Sequence, residues 1–221
     1  WDEYLALALK QRFSHVRLLE YMLNEEVKLK RDNARQLRLK RAHIPELLDL
    51  TTYPFDRQPK LDRKKIVSIY DGFEYMTKAR NIVWLGPTGC GKTGLATGFL
   101  INAVSRGYTG RFVSFPSLIQ ELLAAVADHS EDKVLKRYLA CDCLLIDEIG
   151  YVEVEPVQVG LFFTLMQQRH RRKPTLITSN LGFGEWRSFL KNDHLAAALI
   201  DRLTENSHVI NMKNCRSIRD K

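Results

Sequence analysis

Eight consecutive residues, Gly86-Pro87-Thr88-Gly89-Cys90-Gly91-Lys92-Thr93, have the types and spacing of a phosphate-binding loop. The glycines let backbone N–H groups turn inward around phosphate oxygens, and Lys92 supplies a cation for the β- and γ-phosphates. The Thr93 hydroxyl is placed to ligate Mg2+. Such a loop works between a strand and a helix whose N-terminus adds positive potential. Here an apolar run, 82–85, precedes it and a helix-forming stretch, 93–104, follows.

A second element ends 56 residues after Lys92, where the apolar run Cys143-Leu144-Leu145-Ile146 stops at Asp147-Glu148. Asp147 is expected to hold the Mg2+ hydration shell and Glu148 to accept a proton from the attacking water. Acids at strand ends are common surface caps, so it is the upstream loop that turns this pair into a candidate site. The adjacent glutamate favours a nucleotide hydrolase over a small-molecule kinase. The chain contains no N-K-x-D guanine-reading element, so ATP is expected rather than GTP. A third polar strand end, Thr175-Leu176-Ile177-Thr178-Ser179-Asn180, makes Asn180 the candidate sensor of the γ-phosphate or the attacking water. Its competing role is a helix N-cap or Asx-turn before Gly182.

These residues need a scaffold, and the pattern predicts one. Short aliphatic or β-branched runs at 82–85, 111–115, 143–147, 175–178 and 209–212 are mostly separated by helix-length segments. That is the signature of an α/β fold, a parallel sheet with helical crossovers carrying a P-loop NTPase site. From residue 2 to about 44 there is neither Gly nor Pro, and Leu9, Phe13, Val16, Leu19 and Leu23 recur at spacings of three and four, predicting an amphipathic helix. Residues 28–43 hold seven Lys or Arg against one acid. Lys28, Arg31, Arg35 and Arg38 share one helical face there and form a candidate DNA-phosphate contact, a solvated face being the alternative. Around Pro45, Pro54 and Pro59 the periodicity breaks. The expected division is a helical region, 1–44, a connector, 45–80, and the nucleotide-binding domain, 81–221.

Composition sets the outer bounds. Lys plus Arg is 34 against 26 for Asp plus Glu, a net charge of +8, which favours a polyanionic partner. With 45% hydrophobic and 27% charged residues the chain is not mainly disordered. Its longest uncharged runs, 93–105 and 156–168, have 13 residues each, against about 18 needed to cross a bilayer. No transmembrane helix is expected. Because the chain opens on Trp1, its native start is expected upstream. Cys90, Cys141, Cys143 and Cys215 form no paired framework, pointing to a reducing compartment, and a C-x-C alone does not make a zinc site. Tyr53, Phe55, Phe73 and Tyr75 suit either an adenine or the core, with the core favoured. The run Arg169-His170-Arg171-Arg172-Lys173 suits a subunit interface or the neutralisation of a helix C-terminus.

The stretch Thr178-Ser179-Asn180-Leu181, followed by Phe183, Glu185 and Trp186, resembles the T-S-N-L-x-F-x-E-W of the IstB transposition helpers. These are AAA+ ATPases of the helicase-loader, DnaC-like group. The resemblance runs from about residue 44 to 219. It implies an AAA+ core with a small N-terminal helical region, in the cytoplasm of a prokaryote. It also implies ATP-bridged homo-oligomers on double-stranded target DNA that recruit or activate a transposase. Arg202, in Ile200-Asp201-Arg202-Leu203, becomes the arginine finger aimed at the γ-phosphate of a neighbouring subunit, a surface salt bridge with Asp201 or Glu205 being the alternative. Residues 117–127 and 131–138 read as two short helices at the position of the clade's extra insertion, which by resemblance brings Lys133, Lys136 and Arg137 to a DNA channel. Only 41 residues follow Asn180, so a full C-terminal lid is not expected, and Arg219 is left as the sensor-2 candidate. The nearest competing function is a replicative helicase loader, although the N-terminal region has no cysteine for the zinc module of some loaders. A passive DNA-coating protein with a structural nucleotide is the competitor from another class.

Overall fold

The computed structural model describes residues 2–152 and 154–218; Arg219 lies outside the described residues. The N-terminal region forms two helices where the periodicity predicts one, α1 (Asp2–Lys10) and α2 (His15–Arg41). The chain breaks at Arg12, whose φ is 50°, and restarts at Ser14, whose side chain accepts from Arg17 N at 3.3 Å. A serine N-cap and the packing gained by folding back decide against continuity. Tyr21 of α2 meets both Tyr4 and Phe13 edge-on, each at 5.8 Å between ring centroids. The apolar set read from the spacing is consequently not a buried face: Leu9 is 81% exposed and Val16 68%. The C-terminal end of α2 docks on the body through Leu39 and the capping Ala42, which pack on Val104.

The segment 45–80 carries 3-10 turns at Leu50–Thr52 and Phe55–Arg57, then α3 (Arg63–Gly72) and α4 (Glu74–Thr77). The alternating unit follows: β1 (Asn81–Leu85), α5 (Lys92–Ser105), β2 (Gly110–Ser114), α6 (Phe115–Ala127), α7 (Glu131–Ala140), β3 (Cys143–Ile149), α8 (Pro156–Arg169), β4 (Thr175–Ser179), α9 (Phe183–Leu190), α10 (Asp193–Thr204) and β5 (Ser207–Asn211). Local sequence accounts for many of the helix starts. Ser114 caps α6, with a proline in its first turn, and Asn192 caps α10. Glu155 and Gln158 form a capping box across Pro156 at the start of α8.

All five strands are parallel, in the order β2-β3-β4-β1-β5. Their alternation is apolar on both faces, as a sheet covered on two sides requires. Val83, Leu85, Leu144, Ile146 and Ile177 join one core, under α6 to α10. Ile82, Trp84, Cys143, Leu145 and Leu176 join the other, which also takes in Leu50, Tyr53, Ile66, Phe73 and Tyr75 from 45–80 and Leu95 and Phe99 from α5. Because β1 lies between β4 and β5, with β3 beyond β4, the ends of β1, β3 and β4 share one edge. That edge is where an open parallel sheet offers a crevice. Among the described residues no helix follows β5, and none is long and apolar enough to cross a membrane.

The basic run at the end of α8 resolves into structural parts. Arg169 is 1% exposed. Its guanidinium donates to the carbonyls of Tyr138, Cys141 and Pro174 at 2.8–3.0 Å and to Thr175 Oγ1 at 3.1 Å. Lys173 Nζ reaches the carbonyls of Leu139 and Ala140. The two cations thus satisfy the C-terminal end of α7, a helix C-terminus as one reading has it, though not the one adjacent in sequence. Arg169→Met leaves several buried carbonyls without a donor, and the midpoint of urea unfolding should fall by the equivalent of about 3 kcal/mol.

Candidate nucleotide site

The loop at 86–93 leaves β1 and re-enters helix at Lys92. Gly89 and Gly91 have φ of 79° and 87°, and Gly91 is the N-cap of α5. A Cβ at Gly91 would stand 2.6 Å from Tyr53 Cε2 and 2.8 Å from Ile218 Cδ1. Glycine is therefore required there for both backbone conformation and space. Three distant segments brace the loop. Tyr53 OH donates to Cys90 O at 2.8 Å, Ile218 N to Gly89 O at 2.9 Å, and Gly86 N to Ser179 O at 3.1 Å. Gln58 holds the last segment by exchanging hydrogen bonds with the Arg216 backbone. Cys90 turns its thiol to Pro87 O, and burial pushes that thiol above its usual range. Tyr53 is thus a brace of the loop, while Phe73 and Tyr75 stack in the core, Tyr75 also donating to Phe99 O.

Lys92 is buried, its Nζ 2.8 Å from both Gly86 O and Pro87 O, so the ammonium sits inside the turn it is expected to serve. Thr93 Oγ1 lies 3.1 and 3.2 Å from the two Asp147 oxygens, bringing together the two expected Mg2+ ligands across 54 residues. Burial pushes the Asp147 carboxyl above the ordinary carboxylate range, opposed by the hydroxyls of Thr178 and Thr93. Glu148 is exposed, with φ 65°. A cavity of about 440 Å³ is bordered by Thr88, Gly89, Gly91, Lys92, Thr93, Asp147, Glu148 and Thr178. These residues suit a Mg2+–triphosphate: an N–H cradle that side chains would fill, a buried cation, and a hydroxyl–carboxylate pair of hard oxygens. A larger cavity, about 520 Å³, lies between 49–56 and α3, and Tyr53, which braces the loop, lines it as well.

Asn180 stands beside this cavity rather than on its wall. Its Oδ1 is buried without a hydrogen-bond partner, against Gly150. It does not cap the next helix: Gly182 is the N-cap of α9, its N–H bonded to Glu185 Oε2. The hydroxyl that does reach the two acids belongs to Thr178, a residue that reading the strand end by its last polar position passes over. Two adjacent hydroxyl residues, Thr178 and Ser179, closing the strand were the available signal.

The description "IstB-like ATP binding protein" fits a family model matching residues 1–221. The chain belongs to this family. It is 30% identical over 96% of its length to the ATP-binding protein of insertion sequence IS5376 from Geobacillus stearothermophilus, covering 84% of that protein. It is 31% identical, again over 96%, to the IS21 ATP-binding protein of Pseudomonas aeruginosa, covering 80% of it. Among solved structures, DnaI superposes with a TM-score of 0.62 at 21% identity, spanning 74% of this chain and 90% of that one. The DnaC helicase loader gives 0.58 at 22%, over 68% and 87%. At those identities the shared feature is the fold, a parallel sheet with helical crossovers.

In this IstB-like chain Arg202 is held away from its own loop. Asn81 Nδ2 donates to Arg202 O at 3.4 Å, and Asn81 opens β1 whereas the loop leaves its far end, roughly 13 Å along the strand. The Arg202 guanidinium stacks on Phe163 at 4.8 Å and donates to Ala198 O. The salt-bridge alternative with Glu205 gives way, because Glu205 pairs with His170 and Arg171. The expected DNA cations also divide. Arg35 Nε donates to Ser105 Oγ and Arg38 Nε to Val104 O, fastening α2 to the end of α5, while Lys28 and Arg31 are exposed. On α7, Arg137 pairs with Glu121, while Lys133 and Lys136 are exposed.

Proposed function

We propose that this IstB-like protein is a Mg2+-dependent ATPase that assembles on double-stranded DNA and there recruits or activates a transposase, in the prokaryotic cytoplasm. The observation that carries this reading is the meeting of Lys92, Thr93, Asp147 and Glu148 around one cavity while Arg202 lies at the opposite end of β1. A site complete except for its second cation is one that a neighbouring subunit finishes. The relatives' place in insertion sequences supplies the transposase, and the net charge of +8 the polyanion.

Mg2+, when bound, neutralises charge growing on the phosphate oxygens. The loop N–H groups and Lys92 orient the triphosphate, and Thr93 with Asp147 would hold the metal. Glu148 takes a proton from a water whose oxygen bonds to the γ-phosphorus as the bond from that phosphorus to the β–γ bridging oxygen breaks. ADP and inorganic phosphate leave. Asn180 is the candidate polar contact to the γ-phosphate or the water, and Arg202 acts in the adjacent protomer's site. Lys28 and Arg31 with Lys133 and Lys136 are exposed cations for DNA phosphates, with Arg35, Arg38 and Arg137 contributing beyond their structural bonds.

Imaging the protein with duplex DNA and a non-hydrolysable ATP analogue tests the assembly, and regular filaments or rings are expected. Monodisperse monomers would sink it. Arg202→Ala should lower DNA-stimulated turnover by about 10³-fold at unchanged ATP affinity. Mixing it with Glu148→Gln should restore turnover, since each chain then supplies what the other lacks. Capture of a replicative helicase instead of a transposase would transfer the chain to the loaders.

A further inference from the structure

Between β3 and β4 the ladder is interrupted. Ile146 pairs with Ile177 and Ile149 with Ser179, so Asp147 and Glu148 together face the single residue Thr178. This is a β-bulge, and it leaves the extra residue's N–H out of the ladder. In a buried strand that N–H needs another acceptor. The Thr178 hydroxyl provides it, accepting from Glu148 N at 2.9 Å while donating its own proton to Asp147 Oδ1 at 2.5 Å. Thr178 is 1% exposed. The neighbouring Ser179 shows what a purely architectural hydroxyl does here: it donates to Ile149 O and accepts from Leu181 N, touching neither acid.

We propose that Thr178 is a positioning residue that, through one hydroxyl, fixes both the Asp147 carboxylate and the left-handed peptide presenting Glu148. The inference rests on the reading of this cavity as the Mg2+–ATP site. The hydrogen bond to Oδ1 limits rotation of the carboxylate that shares the other side of the site with Thr93. The bond from Glu148 N holds a φ of 65° that a non-glycine residue otherwise avoids. Packing alone would be met equally well by valine, so the hydroxyl is the informative atom.

Thr178→Val keeps shape and burial and removes both hydrogen bonds; Thr178→Ser keeps the bonds and drops a methyl. With Val, kcat should fall by about a hundredfold while the KM for ATP stays within about threefold. The Mg2+ concentration needed for half-maximal binding of a fluorescent ATP analogue, read without turnover, should rise by about tenfold. Serine should restore both values to within about threefold of the parent. If the valine chain does not melt cooperatively, the same measurements on Thr178→Ala decide. A valine chain matching the parent in kcat and Mg2+ dependence overturns the proposal, as does a serine chain impaired as much as valine. A parent chain that never binds Mg2+–ATP overturns the functional reading itself, and is told apart because the parent then fails alongside the variants.

Discussion

Lys92→Ala should abolish nucleotide-dependent assembly on DNA and weaken ATP binding by a hundredfold or more. The ammonium is buried within the turn and already makes two charge-assisted bonds, to Gly86 O and Pro87 O, so it is aimed where phosphate oxygens would replace those carbonyls. Each bond from a charged donor contributes about 1.5–3 kcal/mol, and two to a triphosphate give roughly 3–6 kcal/mol. At 1.4 kcal/mol per decade that is at least about a hundredfold in affinity. The loop itself should survive, since Tyr53, Ile218 and Ser179 brace it independently of the lysine. Titration with a fluorescent ATP analogue, together with imaging on duplex DNA, checks both halves. An alanine variant that binds ATP like the parent would remove the loop from the mechanism.

Glu148→Gln should do the opposite to the assembled particle, trapping it. Glutamine has the same size and reach but cannot accept a proton at that position. ATP affinity should stay within about threefold while turnover falls by about 10²- to 10⁴-fold, the range a general base contributes. Particles formed with ATP should then persist on DNA, visible as slow dissociation after dilution. The peptide of Glu148 is tied to Thr178, so the substitution changes the terminal group without loosening the backbone that carries it. Turnover at the parent rate would place the base elsewhere.

The contrast between these two variants depends on how the acids are held. Asp147 is 4% exposed and receives hydroxyls from both Thr93 and Thr178. Glu148, one residue on, is exposed and bordered by the cavity. Two adjacent carboxylates thus live in different surroundings. A straight strand would put them on opposite faces, and the bulge is what lets both border one cavity.

The amino-acid sequence by itself determined most of the elements and their succession along the chain. Short runs of aliphatic and β-branched residues made the five strands legible to within two residues at each end, and the spacing from Gly86 to Thr93 located the turn that follows the first of them. Those features rest on interactions between near neighbours, which any window of the chain contains. Only the tertiary structure decided which side chains meet across long separations. It put Tyr53 and Ile218 against the loop, Arg169 at the end of α7, Arg202 at the opposite end of β1 from its own loop, and Thr178 between the two acids. It also split the N-terminal helix, where a serine cap and two ring contacts outweighed an unbroken periodicity. The physical reason is the same in each case. A buried donor or acceptor must find a partner wherever the packed strands and helices bring one, and its location is set by the sheet order rather than by the residues beside it in the chain.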